Sequence, residues 1–172
     1  MAGNEACRIL SIASGHCREL QGSLVSRSDF QGEFIAVGQD AQACDYVRSE
    51  YAAHTIQVEV ANVSSLLMPT ADLGRFNLIY SAGLLDYLTA PFARKLVAAL
   101  IRRLEPRGKL LITNFLPQSD GRGYMETMMD WHLVYRSESE LMSLFGHAPA
   151  VKPRSFVDPH GNVAYAEYQR GD

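Results

Sequence analysis

Four stretches of this sequence gather residues able to hold or act on a ligand. The first is Ile9-Leu10-Ser11-Ile12-Ala13-Ser14-Gly15-His16-Cys17-Arg18-Glu19-Leu20. An apolar strand, a tight turn and a helix start in succession bring backbone close to a bound group. The same run also suits an ordinary strand-to-helix turn. The second, Val37-Gly38-Gln39-Asp40, closes another apolar run. A carboxylate there can accept two hydrogen bonds from ribose hydroxyls. It can equally cap the following helix, and the two roles compete for the same oxygens. The third, Ile79-Tyr80-Ser81-Ala82-Gly83-Leu84-Leu85-Asp86-Tyr87-Leu88, puts small residues at a strand end. They admit a ligand against the backbone, or serve close helix–strand packing. The fourth runs from Tyr124-Met125-Glu126 through Met128-Met129-Asp130-Trp131 to Tyr135-Arg136, mixing the only tryptophan with acidic, basic and phenolic groups. Met125, Met128, Met129 and Leu133 stand at helical spacing and are expected in the core, although Met also lines acyl-chain slots. Asp130 and Arg136 can pair with each other. The sharper reading is Arg136 facing a carboxylate, because guanidinium presents a planar donor fork.

Other chemistries find little support. There is no G-x-S-x-G, and His16, His54, His132, His147 and His160 have no evident serine or cysteine partner. Cys17 near a helix start could be a low-pKa thiol, but without a partner an inert cysteine is expected. No metal site is expected: His16 and Cys17 are adjacent and no second pair completes a tetrahedral set. The net charge of −3 and pI of about 5.9 argue against a nucleic-acid partner. Arg102, Arg103, Arg107 and Lys109 straddle a helix end, where cations favour the negative end of the dipole.

These residues need a frame. With 172 residues, 47% hydrophobic and 20% charged, the chain is expected to form one domain over 1–172 with a sizeable core. Strands are predicted at 8–13, 33–37, 55–60, 76–81 and 109–115. Helices are predicted at about 17–25, 40–53 and 91–104, the last closed by Glu105-Pro106-Arg107-Gly108. Alternation of strand and helix predicts a parallel sheet covered on both faces. Segments 151–157 and 163–168 flank Asp158-Pro159-His160-Gly161-Asn162, which is hairpin turn chemistry, so an antiparallel hairpin is expected at the end. Pro117 to Gly123 is expected to be a mobile loop bordering the ligand crevice. No apolar run reaches the length of a membrane span. The N-terminus does not read as a signal peptide. Three cysteines without a close pair fit a reducing, cytoplasmic setting.

The run Ile9 to Leu20 resembles motif I of class I S-adenosylmethionine-dependent methyltransferases, in the variant form L-S-x-x-x-G-x-x-R-E-L. The segments 76–88, 104–115 and 129–136 are more distinctive. Together they resemble the bacterial methyltransferases linked to making 3-hydroxy fatty acid methyl esters as cell-density signals. The resemblance implies a three-layer α/β Rossmann-like fold with a seven-stranded sheet, its last strand antiparallel, and S-adenosyl-L-methionine as cofactor. It implies that Ser14 and Gly15 lie under the methionine part, Asp40 near the ribose, Asn62 and Val63 at the adenine, and Ser81, Ala82 and Gly83 beside the methionyl end. Asn114, Tyr124, Asp130, Trp131, Tyr135 and Arg136 fall in its acceptor region.

Three departures accompany the likeness. Gly38 stands where the ribose acid is usual, motif I keeps one glycine of its usual set, and the chain starts almost at strand one without the common lid helices. A homodimer or partner domain would then cover the cofactor site. The activity expected is O-methylation of a small-molecule or fatty-acyl carboxylate, with Arg136 or Asn114 orienting the acceptor. A carboxylate is nucleophilic at neutral pH and needs positioning more than a base. A hydroxyl or amine would need His132 or Asp130. The alternative is a non-catalytic binding module on the same fold.

Overall fold

The computed structural model of the chain describes residues 7–67, 73–146 and 150–172. His147 and the N-terminal residues 1–6 lie outside the described residues. The elements are β1 (Cys7–Ile12), β2 (Gly32–Gly38), α1 (Ala41–Glu50), β3 (Ile56–Val60), β4 (Phe76–Ser81), α2 (Ala90–Arg102), β5 (Leu104–Phe115), α3 (Arg122–Met128), α4 (Glu138–Ser143), β6 (Ala150–Val157) and β7 (Val163–Arg170). They form one seven-stranded sheet in the order β3-β2-β1-β4-β5-β7-β6. The first five strands pair in parallel, and β7 runs antiparallel to both β5 and β6. The expected α/β sheet with a terminal antiparallel hairpin is therefore what the chain forms.

Burial explains the arrangement. In β2, Phe34, Ile35, Ala36 and Val37 are all buried, as a parallel strand covered on both faces requires. Leu10, Ile12, Ile79, Leu110 and Ile112 meet Ala93, Leu96, Val97 and Leu100 of α2 on one face. Phe34, Ala36, Val47 and Tyr51 pack with Cys17 and Leu20 on the other. Asp40 caps α1, its Oδ1 accepting the amides of Gln42 at 2.9 Å and Ala43 at 3.3 Å. Pro91 sits in the first turn of α2, where its missing amide proton costs nothing.

Three expectations are corrected. No α-helix forms over 17–25; only a 3-10 turn at Arg18–Leu20 does. Cys17 has φ 48° and Gly22 φ 76°, both left-handed, and the serine-rich run between Gly22 and Ser28 favours local turns over helix. Glu105 to Gly108 lies within β5 as an irregularity rather than outside it. Arg107 has φ 63° there, and a Cβ at Gly108 would stand 2.8 Å from Phe76 O. Segment 117–123 is tied down: Ser119 Oγ bonds to Leu116 O and Asn162 O, each at 2.7 Å, and Asp120 N donates to Asn162 Oδ1 at 2.9 Å.

One buried polar cluster fixes the loop after β4 against the segment before α4. Arg136, 4% exposed, donates from Nη1 to Leu85 O and Asn114 Oδ1, each at 2.6 Å, and from Nη2 to Leu88 O. Asn114 Nδ2 donates to Val134 O at 2.8 Å. Asp86 Oδ1 accepts Phe115 N at 2.7 Å, while Val134 N bonds to Asp86 O. Burial raises the Asp86 carboxyl above its ordinary value, with the Phe115 amide and Arg136 working in the opposite direction. Removing the cation leaves Leu88 O and Asn114 Oδ1 without that donor, Leu85 O with only the Leu88 amide at 3.1 Å, and Asp86 without its opposing charge. Arg136→Met is expected to cost about 3–5 kcal/mol of stability in urea unfolding. A loss under about 1 kcal/mol would show the cluster to be marginal.

Cys17 is buried and its thiol is pushed up to about 11 by burial, with Glu19 adding to the effect. Cys44 is buried too, while Cys7 is exposed. A thiol reagent at about pH 8 is expected to label Cys7 within minutes in the native chain and the other two only on unfolding. Rapid native labelling of a second thiol would contradict this packing.

Candidate functional site

The order of strands reverses between β1 and β4, because the chain leaves β1 toward β2 and β3 and returns to pair β4 on its other side. Loops at the carboxyl ends of the strands splay apart at such a reversal and leave a crevice. A cleft of about 210 Å³ occupies that place, lined by Ile12 and Ala13 after β1, Val37, Gly38 and Gln39 after β2, Ala61 and Val63 after β3, and Ala82, Gly83, Leu84 and Tyr87 after β4. It continues past Gly15, Asp40 and Cys44 into a recess of about 190 Å³. On the other side it opens past Asn62, Ser64, Leu88 and Phe92 into a hollow of about 490 Å³.

The walls have identifiable causes. The loop after β1 is shaped by alternate left-handed residues, Ala13 at φ 55°, Gly15 at 52° and Cys17 at 48°. Ser14 N closes on Val37 O at 3.1 Å, so the loop is latched to the end of β2. Gly38 lies against its neighbours: a Cβ there would stand 3.1 Å from Cys44 Sγ and 3.4 Å from Ser14 Oγ. Gly83 has φ 84° and donates its amide to Thr113 Oγ1 at 3.1 Å, with open space on its Cβ side.

The residues singled out from sequence divide into three groups. Gly15, Asp40, Asn62, Val63, Ala82 and Gly83 line the joined crevice. Asp40 caps α1 through Oδ1, and no hydrogen bond among the described residues is made by Oδ2, so capping does not use both oxygens. Asn62 Oδ1 accepts Ser64 N at 2.9 Å, a bond that does not use its amide nitrogen. Ser14 Oγ is buried beside Gly38 and faces the Cys17 thiol. Ser81 instead spends its hydroxyl on Ile12 O at 3.0 Å, holding β4 to β1.

Of the expected acceptor residues, Trp131 and Asp130 stand near the rim. Trp131 Nε1 donates to Tyr87 Oη at 2.9 Å, and Tyr87 lines the cleft. Asp130 does not pair with Arg136; its Oδ1 meets His132 Nε2 at 3.1 Å. Tyr124 is largely exposed on α3. Asn114 and Arg136 are committed to each other and to backbone carbonyls, because the turn after β4 needs donors there. Tyr135 and Arg136 border a separate hollow of about 180 Å³ between α2 and α4. The guanidinium of Arg122 lies 4.4 Å over the Tyr135 ring. The methionines divide likewise: Met125 is buried, but Met128 at 72% and Met129 at 54% exposure are not core residues. Gln39, Leu84 and Tyr87, within the stretches named above but given no role there, and Phe92, outside them, also line the crevice. The signal for Tyr87 was an aromatic residue within the segment after β4.

No helix among the described residues is long and apolar enough to cross a membrane. Among the same residues no cluster of three metal-ligating side chains occurs.

No protein-family model matches the sequence, and no curated protein matches it. Solved structures do. A Bordetella parapertussis protein described as a possible exported protein superposes with a TM-score of 0.78 at 16% identity, over 97% of this chain and 62% of its own. The S-adenosylmethionine-dependent methyltransferase SibL gives 0.70 at 15% identity, over 98% of this chain and 51% of its own. The N-methyltransferase NodS from Bradyrhizobium japonicum WM9, in complex with S-adenosyl-L-homocysteine, gives 0.65 at 16% identity, over 96% of this chain and 79% of its own. The chain thus spans between half and two thirds of the first two. At these identities the likeness is one of fold, and the fold is that of S-adenosylmethionine-dependent methyltransferases.

Proposed function

We propose that the chain is an S-adenosylmethionine-dependent methyltransferase acting on an oxygen of a small molecule with a large apolar part, an acyl carboxylate being the acceptor class. The observation that carries this reading is the crevice at the β1–β4 reversal. Its composition suits the cofactor. Gln39, Asp40 Oδ2 and Asn62 offer hydrogen bonds to a nucleoside, Val63, Leu84, Tyr87 and Phe92 offer apolar walls for its base, and Ala13, Gly15, Gly38, Ala82 and Gly83 admit close backbone approach.

When bound, the cofactor supplies a methyl group on a sulfonium, which an acceptor oxygen takes in line as the carbon–sulfur bond breaks and its electron pair stays on sulfur. The protein's part is to orient and to exclude water. Tyr87 and Trp131, joined by their hydrogen bond, form a wall between crevice and rim. Tyr124, Met128 and Met129 extend an exposed apolar surface on the segment that leads to Trp131. Such a surface suits an acyl chain or another apolar body. A carboxylate at neutral pH requires no base. Arg136 is buried among backbone carbonyls, so the rim residues rather than Arg136 would orient it. A hydroxyl acceptor would need a proton taken from it, for which the Asp130–His132 pair is the candidate.

Calorimetry with S-adenosylmethionine and S-adenosylhomocysteine is expected to give micromolar dissociation constants. Ala82 is exposed and lines the cleft, so Ala82→Leu should weaken both about tenfold or more without lowering the melting temperature. No binding at millimolar ligand would favour a methyltransferase-like module without the reaction. With an acyl acceptor in hand, Trp131→Ala is expected to lower kcat/KM about tenfold while cofactor affinity stays put. An unchanged kcat/KM would move the acceptor site elsewhere.

A further inference from the structure

At the amino ends of the parallel strands, opposite the crevice, the sheet gathers arginines that the crevice does not use. β4, β5 and β7 are neighbours, and each brings one arginine to that end. Arg75 immediately precedes β4, Arg107 lies in the opening part of β5, and Arg170 ends β7, which runs the other way. Phe76 pairs with Leu104, and Arg107 N donates to Gly171 O at 3.4 Å, so the three stretches meet there. Arg75 Nη1, at 3.4 Å, and Arg170 Nη1 both donate to Leu104 O. Neighbouring strands stand about 4.8 Å apart, so the three positions span about 10 Å. The end of α2 adjoins them, with Arg103 O accepting Phe76 N at 2.8 Å.

The fold does not account for these cations. One guanidinium is enough for the Leu104 carbonyl, yet two converge on it. Each guanidinium has five N–H donors. Among the described residues Arg75 and Arg170 use one apiece, and the Arg107 side chain uses none. No described carboxylate pairs with any of the three, Glu105 and Asp172 at the same end included. Neighbouring cations differ: Arg8 pairs with Glu33, and Lys109 and Arg154 share Glu167. Arg75 and Arg107 are exposed, Arg107 on left-handed backbone at φ 63° that an L residue disfavours. Cations that meet on one oxygen repel each other, and an anion placed among them offsets that repulsion.

We infer that this end of the sheet is a docking surface for an acidic segment of a partner protein. The planar guanidinium fork donates to both oxygens of a carboxylate. Three cations across this width suit several carboxylates on one extended chain, whose alternate side chains stand about 7 Å apart on one face. A nucleic-acid strand fits less well. The net charge is −3, so the surface away from this end is more acidic still and repels a long polyanion. Docking here leaves the crevice open, at the opposite ends of the strands, whatever reaction the crevice performs.

The probe is fluorescein-labelled hexaglutamate, titrated with the full chain and followed by anisotropy. At about 20 mM salt we expect a dissociation constant of about 100 μM, weakening as salt rises. Arg75→Gln combined with Arg170→Gln should weaken binding about tenfold. Arg27→Gln combined with Arg48→Gln lowers the net charge equally at exposed pairs elsewhere, and should change binding less than about twofold. Arg107→Gly should weaken binding about threefold without lowering the melting temperature, because glycine takes left-handed backbone readily. Equal weakening by the two double variants would make the binding one of net charge and overturn the proposal. No binding below millimolar peptide would overturn it too. So would tighter binding of a six-phosphate oligonucleotide with the same dependence on Arg75 and Arg170, which would make the surface one for nucleic acid.

Discussion

A buried guanidinium held by neutral oxygens sets the shape of the rim. Arg136 draws together the carbonyls of Leu85 and Leu88, in one turn, and the side chain of Asn114, distant from that turn in sequence. Leu85 and Leu88 belong to the turn that follows β4, and that turn carries Leu84 and Tyr87 into the crevice. Asn114 lies near the end of β5 and reaches Val134, so the segment bearing Trp131 is fastened by the same cluster. Leu85 O has one other donor, the Leu88 amide, and an unmade bond to a buried carbonyl costs about 1–3 kcal/mol. The hydrogen bond from Trp131 to Tyr87 thus spans two segments whose spacing Arg136 already sets. The residue acts on the site through position rather than through its charge.

The loop after β1 shows a second constraint. Ala13 and Cys17 adopt left-handed backbone at φ 55° and 48°, where an L residue is disfavoured by about 1–2 kcal/mol. Glycine would take the same turn without that cost. The surroundings hold the shape instead: Ser14 N is bonded to Val37 O, Cys17 is buried among Phe34, Val47 and Tyr51, and Tyr51 Oη bonds to the carbonyl of Cys17. A turn usually built from composition is here built from packing.

That difference separates what was legible in the sequence from what was not. β1, β2 and β4 could be read because each is a short, largely apolar run, and the hairpin because Asp158 to Asn162 carries turn chemistry that the structure uses, with Asp158 Oδ1 accepting the amides of Asn162 and Val163. Gly15, Asp40 and Asn62 reach the crevice because strand ends position them, and strand ends follow from apolar runs. The helix after Cys17 was misread: apolar spacing was present, but a left-handed start and a run of serines outweighed it. Arg136 and Asn114 were misread for another reason. A polar residue near a substrate and one serving buried carbonyls look alike in sequence, and only the fold reveals which carbonyls lack donors.

Gly38 and Asp40 bring these threads to one point. A Cβ at position 38 would stand 3.1 Å from Cys44 Sγ, a tight contact from which the thiol must give by a few tenths of an ångström, and 3.4 Å from Ser14 Oγ. The close packing of the β1 loop on β2 therefore leaves little room for a side chain at that position. The nearest residue that can present a carboxylate is Asp40, at the start of α1. There the helix needs a cap, which takes one oxygen and fixes the side chain's direction. The remaining oxygen is left in a constant place by an interaction that exists for the helix. A glycine at one position and a helix cap two residues later thus leave the end of β2 with one oriented carboxylate, Asp40, on the recess wall.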